Sequence, residues 1–110
     1  MMNVKRRFEK MEIINELNFE EAVSQGTVIV DFYAEWCGPC KALAKFFESA
    51  ELKYPTMKFV KIDTDDNTDI ASEFSIKSLP TVIVFKDGIE TDRVVGFSPA
   101  AIENLLKRSV

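Results

Sequence analysis

Thr27-Val28-Ile29-Val30-Asp31-Phe32-Tyr33-Ala34-Glu35-Trp36-Cys37-Gly38-Pro39-Cys40 is the stretch on which the fold turns. Its first seven residues are mostly β-branched or aromatic, with apolar side chains on both alternating faces, the pattern of a central strand covered on both sides. One residue breaks the pattern. Asp31 puts a carboxylate where water is excluded, and such a group needs a partner or a raised pKa. Beyond Pro39 the period changes: Leu43, Phe47, Ala50 and Tyr54 recur every three or four residues with Phe46 beside them, the apolar stripe of a helix. Pro39 suits the first turn, where its missing N–H is not needed. Cys37 therefore lies at the helix N-terminus and Cys40 within its first turn.

Working outward, Met11-Glu12-Ile13-Ile14 reads as a short edge strand. Asn18 and Glu21 have the spacing of a capping box for a short helix that buries Phe19 and Val23 and ends at Gly26. After Pro55, Lys58 to Asp63 forms a strand, Asn67 caps a short helix carrying Ile70, Ala71 and Phe74, and a connection runs to Leu79-Pro80. Thr81 to Phe85 and Ile89 to Val95 flank Lys86-Asp87-Gly88, whose Asp-Gly pair signals a hairpin. Gly96 breaks the last strand, and Ser98-Pro99 opens a final helix that buries Ile102, Leu105 and Leu106 and places Lys107 and Arg108 near its negative end. The order β-α-β-α-β-α-β-β-α predicts an α/β fold, a mixed sheet with helices on both faces, in which function gathers at the carboxyl ends of the strands.

The chain has 110 residues, 46% of them hydrophobic, and a net charge of −4. That is enough for one domain with its own core, and it offers no basic stripe for nucleic acid. Residues 1–10 are basic and without period and are set aside as an N-terminal extension to a domain spanning 11–110. Lys5-Arg6-Arg7 is followed by Phe8-Glu9-Lys10-Met11-Glu12, where an export signal requires an apolar run of about 7–15 residues. Every apolar run is far shorter than the roughly 18 residues of a membrane span. A cytoplasmic monomer is the expectation, and in a reducing compartment a lone CxxC reads as a redox or metal motif rather than a structural disulfide.

Zinc asks for four ligands, commonly Cys and His. The chain has two Cys and no His. A dithiol that closes into a disulfide is the stronger reading. A thiolate, not a thiol, attacks a disulfide, and a helix N-terminus favours the anion by about 0.3–1 kcal/mol, worth one pKa unit or less. Cys37, with a sulfur expected to face solvent, is the candidate nucleophile, and Cys40, expected deeper, the resolving thiol. Asp31 has two readings on the residues alone: a base for Cys40, or a carboxylate paired with a lysine such as Lys61. Trp36 reads as packing or as a partner surface. The Leu79–Pro80 isomer stays open, with trans the commoner.

From Met11 to Val110 these features closely resemble the thioredoxin family. Val30 to Lys41 is similar to its active-site strand and helix start, and Ser78-Leu79-Pro80-Thr81 and Val95-Gly96 to its two other surface segments. The resemblance implies a three-layer α/β/α thioredoxin fold with a central mixed sheet. It also implies reduction of disulfides in client proteins, with no bound cofactor beyond the redox-active Cys37–Cys40 disulfide, recharged by a separate NADPH-linked thioredoxin reductase. In it Cys37 attacks, Cys40 resolves, Asp31 is the buried acid/base influenced by Lys61, and Pro80 is cis. Trp36, Gly38, Pro39, Leu79, Pro80 and Gly96 would form the apolar contact surface, with Leu79 offering backbone to an extended client segment. Tyr33 and Lys45 stand where many members have Trp and Pro, which predicts a less kinked helix, and Phe97 adds bulk expected near the contact surface.

Overall fold

Burial of both faces of the central run dictates its place. The computed structural model describes residues 11–110, so the expectation for residues 1–10 lies outside the described part. The elements β1 (Glu12–Ile14), α1 (Phe19–Ala22), β2 (Thr27–Tyr33), α2 (Gly38–Lys53), β3 (Lys58–Asp63), α3 (Thr68–Glu73), β4 (Thr81–Lys86), β5 (Ile89–Val95) and α4 (Pro99–Arg108) follow the expected order. They build one five-stranded sheet in the order β1-β3-β2-β4-β5. β2 sits at its centre, parallel to β3 and antiparallel to β4.

Alternation along β2 sorts the core into two halves. Val28, Val30 and Phe32 pack with Phe19, Ile62, Ile83 and Phe85, and the half-buried Ile70 and Phe74 close that layer beneath α1 and α3. Ile29 faces the other way, into a layer with Leu43 and Phe47 of α2 and Ile102, Leu105 and Leu106 of α4. The result is the expected α/β/α sandwich around a mixed sheet. α2 runs unbroken through Lys45, buries Leu43, Phe47 and Ala50 and is capped by Tyr54, as its stripe of threes and fours requires.

Two capping expectations are corrected. Asn18 makes no side-chain bond to the start of α1. Its Oδ1 instead accepts from the Asn15 N–H at 2.8 Å, and the Asn15 Oδ1 accepts from Leu17 and Asn18. Two Asn side chains thus close the turn before the helix on each other, a local competition that Asn readily wins. Asn67 likewise leaves α3 uncapped. It is buried, its Oδ1 accepts from the Glu16 N–H at 2.9 Å and its Nδ2 donates to the Asp63 carbonyl at 2.8 Å. It pins the β1–α1 turn to the end of β3. Asn67→Ala strands both backbone groups and is expected to cost about 1–3 kcal/mol in urea unfolding; a loss under 0.5 kcal/mol would deny it that role.

The hairpin between β4 and β5 turns on Asp87 (φ 50°) and Gly88 (φ 86°), the paired positive φ that favours Asp-Gly in tight hairpins. Pairing then slips: Phe85 lies opposite Glu90, but Val84 lies opposite Asp92. Thr91 is the extra residue of a bulge, which flips the alternation of β5 about itself.

Candidate active site

Cys37 takes the N-cap position of α2 in extended backbone geometry, and Cys40 follows in the first turn with Pro39 between them. The two form a disulfide with Cα atoms 5.3 Å apart. The Cys40 N–H, an orphan donor of the helix start, donates to the Cys37 Sγ at 3.2 Å, so the sulfur occupies the helix's anion position. Tyr33 and Ala34 pack around the pair, with Leu79 against it.

The expected contrast of an open Cys37 and a deep Cys40 is not found. Each is 4% exposed, because Leu79 and the strand end cover both. What separates them is their surroundings. Cys40 lines a half-open cavity of about 90 Å³ together with Asp31, Tyr33, Ala44 and Lys61, whereas Cys37 does not.

Asp31 reaches that cavity through the strand period. It lies two residues beyond Ile29 and so points to the α2 face, beneath the helix start. It is 1% exposed and its Oδ1 has no hydrogen-bond partner. Lys61 stands directly across from it on β3, with its ammonium 5.0 Å from the Tyr33 ring centroid. Burial pushes the Asp31 carboxyl up to about 7 from an ordinary 3.8, against the opposing pull of the Lys61 charge. Among the described residues no ion pair joins the two. The ion-paired reading of Asp31 therefore fails, since the positive charge is near enough to act and too far to satisfy the carboxylate.

Of the remaining candidates, Trp36, Gly38 and Pro39 are exposed and Leu79 and Gly96 half-buried on the surface above, whereas Pro80 is buried. Trp36 is 71% exposed, and its indole Nε1 donates to Asp65 Oδ2 at 2.8 Å. Asp65 is in turn oriented by its own N–H, which donates to Asp63 at 2.8 Å. Gly38 and Pro39 are exposed beside it. The Leu79–Pro80 bond is cis, and Gly96 (φ 86°) donates its N–H to the Pro80 carbonyl at 2.7 Å. A groove of about 340 Å³ runs along this surface, lined by Trp36, Thr64, Asp65, Ile76, Lys77 and Leu79 among others. Asp65 and Ile76 were not among the sequence candidates; nothing in their spacing ties either to the cysteines. Phe97 is half-buried, with its ring 6.1 Å from Phe46. It therefore belongs to the α2–α4 core and not to the contact surface.

Among the described residues no group of three or more His, Cys, Asp or Glu is placed to hold a metal ion, and no helix is long and apolar enough to cross a membrane.

The chain that carries this cysteine pair matches known proteins along almost the whole described part. The sequence model of the Thioredoxin family matches residues 10–108. Thioredoxin of Mycoplasma genitalium is 46% identical over 89 residues, covering 80% of this chain and 87% of that protein. Thioredoxin of Staphylococcus haemolyticus is 44% identical, covering 84% and 88%. Plasmodium falciparum thioredoxin superposes with a TM-score of 0.86 at 36% identity over 91% of this chain and 100% of that one. With these matches and its own Cys37–Cys40 disulfide at a helix start, the chain belongs to the thioredoxin family and is a thiol-disulfide oxidoreductase.

Proposed function

We propose that the chain reduces disulfides in client proteins with Cys37 as nucleophile, Cys40 as resolving thiol and Asp31 as the group that takes the Cys40 proton. The observation that carries these roles is the cavity shared by Cys40, Asp31 and Lys61, from which Cys37 is excluded.

In the reduced protein the Cys40 N–H that now points at Cys37 Sγ would stabilise a Cys37 thiolate, adding to the helix dipole. The thiolate attacks one client sulfur, a Cys37–client bond forms, and the other client sulfur leaves as a thiolate and is protonated. Asp31 accepts the Cys40 proton. The new Cys40 thiolate then attacks Cys37 Sγ, closing the Cys37–Cys40 bond and expelling the second client thiolate. Two electrons pass from the pair to the client. Lys61 holds the Asp31 charge within reach of neutral pH, offsetting part of the burial.

Trp36, Gly38, Pro39, Leu79, Pro80 and Gly96 form the client contact surface in this reading, with Leu79 backbone pairing to an extended segment. A thioredoxin reductase returns the disulfide to the dithiol, so the protein acts in electron transport as a monomeric carrier whose domain is residues 11–110. Work as a reductant requires a reducing pool, which assigns it to the cytoplasm.

Limiting iodoacetamide on the reduced protein near pH 7 tests the assignment. Cys37 is expected to be alkylated roughly tenfold faster than Cys40, because the thiolate is the reacting form and the helix start favours the anion at Cys37. Peptide mass analysis reads the ratio, and equal labelling or a preference for Cys40 would overturn the roles.

A further inference from the structure

The groove beside the disulfide is built largely on one segment, residues 75–79, which leaves α3 and enters β4. Its ends have different anchors, one on β5 and one just beyond it. At the exit, Gly96 donates to the Pro80 carbonyl. At the entrance, α3 ends with Ser75 in the left-handed region (φ 55°), the Ile76 N–H bonded to the Ala71 carbonyl at 2.8 Å and the Ser75 N–H to Ser72 at 3.0 Å. This is a Schellman stop with a residue other than glycine at the left-handed position. It leaves the Phe74 carbonyl, one of the helix's orphan acceptors, without a backbone donor. Arg93 supplies it, through Nη1 at 3.0 Å.

The Arg93 fork is itself held. Its Nε donates to Glu90 Oε2 at 2.7 Å and its Nη2 to Glu90 Oε1 at 2.9 Å, a bidentate pair with both side chains 31% exposed. Two residues three apart on a regular strand face opposite ways. The bulge at Thr91 removes that conflict: Phe85 opposite Glu90 and Ile83 opposite Arg93 both pack on the α3 side of the sheet. The Phe74 ring is fixed independently, 5.3 Å from Phe19 and 5.4 Å from Phe85. So the ring anchors the residue, and the guanidinium sets the direction in which the chain departs toward Ile76 and Leu79.

We propose that Arg93, oriented by Glu90, is a positioning residue for client binding: it fixes the entrance of the segment that carries Ile76, Lys77 and Leu79 to the disulfide. This rests on the reading above that clients contact the surface of Trp36 and Leu79, along which this groove runs. The reacting sulfurs and Asp31 lie on the opposite face of the sheet from Arg93, so their chemistry is left untouched.

The test compares a folded protein client, insulin, with a small disulfide, 5,5′-dithiobis(2-nitrobenzoate), using Arg93→Met, Arg93→Lys and Ile76→Asp in the full chain. Arg93→Met is expected to raise KM for insulin roughly three- to tenfold, the span of one lost hydrogen bond of ordinary net strength acting through the segment. Its kcat, its rate with the small disulfide and its Cys37–Cys40 reduction potential should stay at the wild-type values. Arg93→Lys, which keeps one donor, should recover part of the loss. Equal losses with both substrates, a shifted potential or an unchanged insulin KM would overturn the proposal. Ile76→Asp separates the two readings: if it too leaves insulin KM unchanged, the groove is not the client site. If it raises KM while Arg93→Met does not, only the role of Arg93 is lost.

Discussion

Cys40→Ser is expected to bring dithiothreitol-driven insulin reduction down to the rate of dithiothreitol alone while leaving the first attack intact. The two steps use different sulfurs. Cys37 keeps its place at the start of α2 and the N–H of residue 40, which a serine also possesses, so it still forms a bond to one client sulfur. What is missing is the second thiolate. A serine hydroxyl does not ionise near neutral pH and forms no disulfide, so the Cys37–client bond has no internal nucleophile to release it. Without added thiol the variant should therefore accumulate a covalent adduct with insulin chains on a non-reducing gel, and Cys37→Ser should form none. Undiminished turnover, or equal adducts from both variants, would remove the division of labour between the two sulfurs. In a native lysate the same trap reports breadth: many adducts fit a general reductant, whereas a single partner held without a covalent bond fits a binding module.

What the sequence revealed of this site follows from which interactions are periodic. β2 and α2 were legible because their apolar residues repeat at two and at three to four, and the same period that buries Ile29 against Leu43 and Phe47 aims Asp31 at the underside of the helix start. A lone carboxylate in such a run stands out as a physical inconsistency, and inconsistencies of that kind mark functional sites. The burial of Cys40 follows from the helix period, but that of Cys37 does not: Leu79, forty-two residues away in sequence, packs against the pair. No local pattern encodes that contact.

The polar partners were the least legible. Asn18 and Asn67 carry the residue type of helix caps, yet each finds a better acceptor or donor elsewhere, one in the preceding turn and one on the neighbouring strand. Asp65 meets Trp36 across twenty-nine residues. Glu90 and Arg93 share a face only because Thr91 is squeezed out of register, and a seven-residue strand with no glycine in it announces no bulge. Short polar side chains bond to whatever tertiary structure brings near, so their type narrows the role without fixing the partner.

Asp31→Asn is expected to act on stability and on rate in opposite directions, with pH separating the two. In the oxidised protein burial raises the Asp31 carboxyl to about 7 from 3.8. Below about pH 4 the group is protonated whether the chain is folded or not, and its charge costs nothing. Between there and about pH 7 the unfolded chain has released the proton while the folded chain still binds it, so stability falls as pH rises; above about 7 the loss is complete. A gap of about three pH units at roughly 1.4 kcal/mol each amounts to about 4 kcal/mol. Asparagine carries no charge to bury, so urea unfolding should find the variant more stable than wild type at pH 8, by up to that amount less the cost of burying its amide. The two should converge near pH 4. Turnover should move the other way. With no carboxylate to take the Cys40 proton, release of the client from Cys37 should slow by roughly a hundredfold, the lower end for a lost general base. The wild-type rise in single-turnover release through about pH 7 should vanish, while the initial attack by Cys37 changes much less. An unchanged release rate would deny Asp31 the proton. A stability gain of equal size at pH 4 and pH 8 would show that packing, not the buried charge, separates the two proteins.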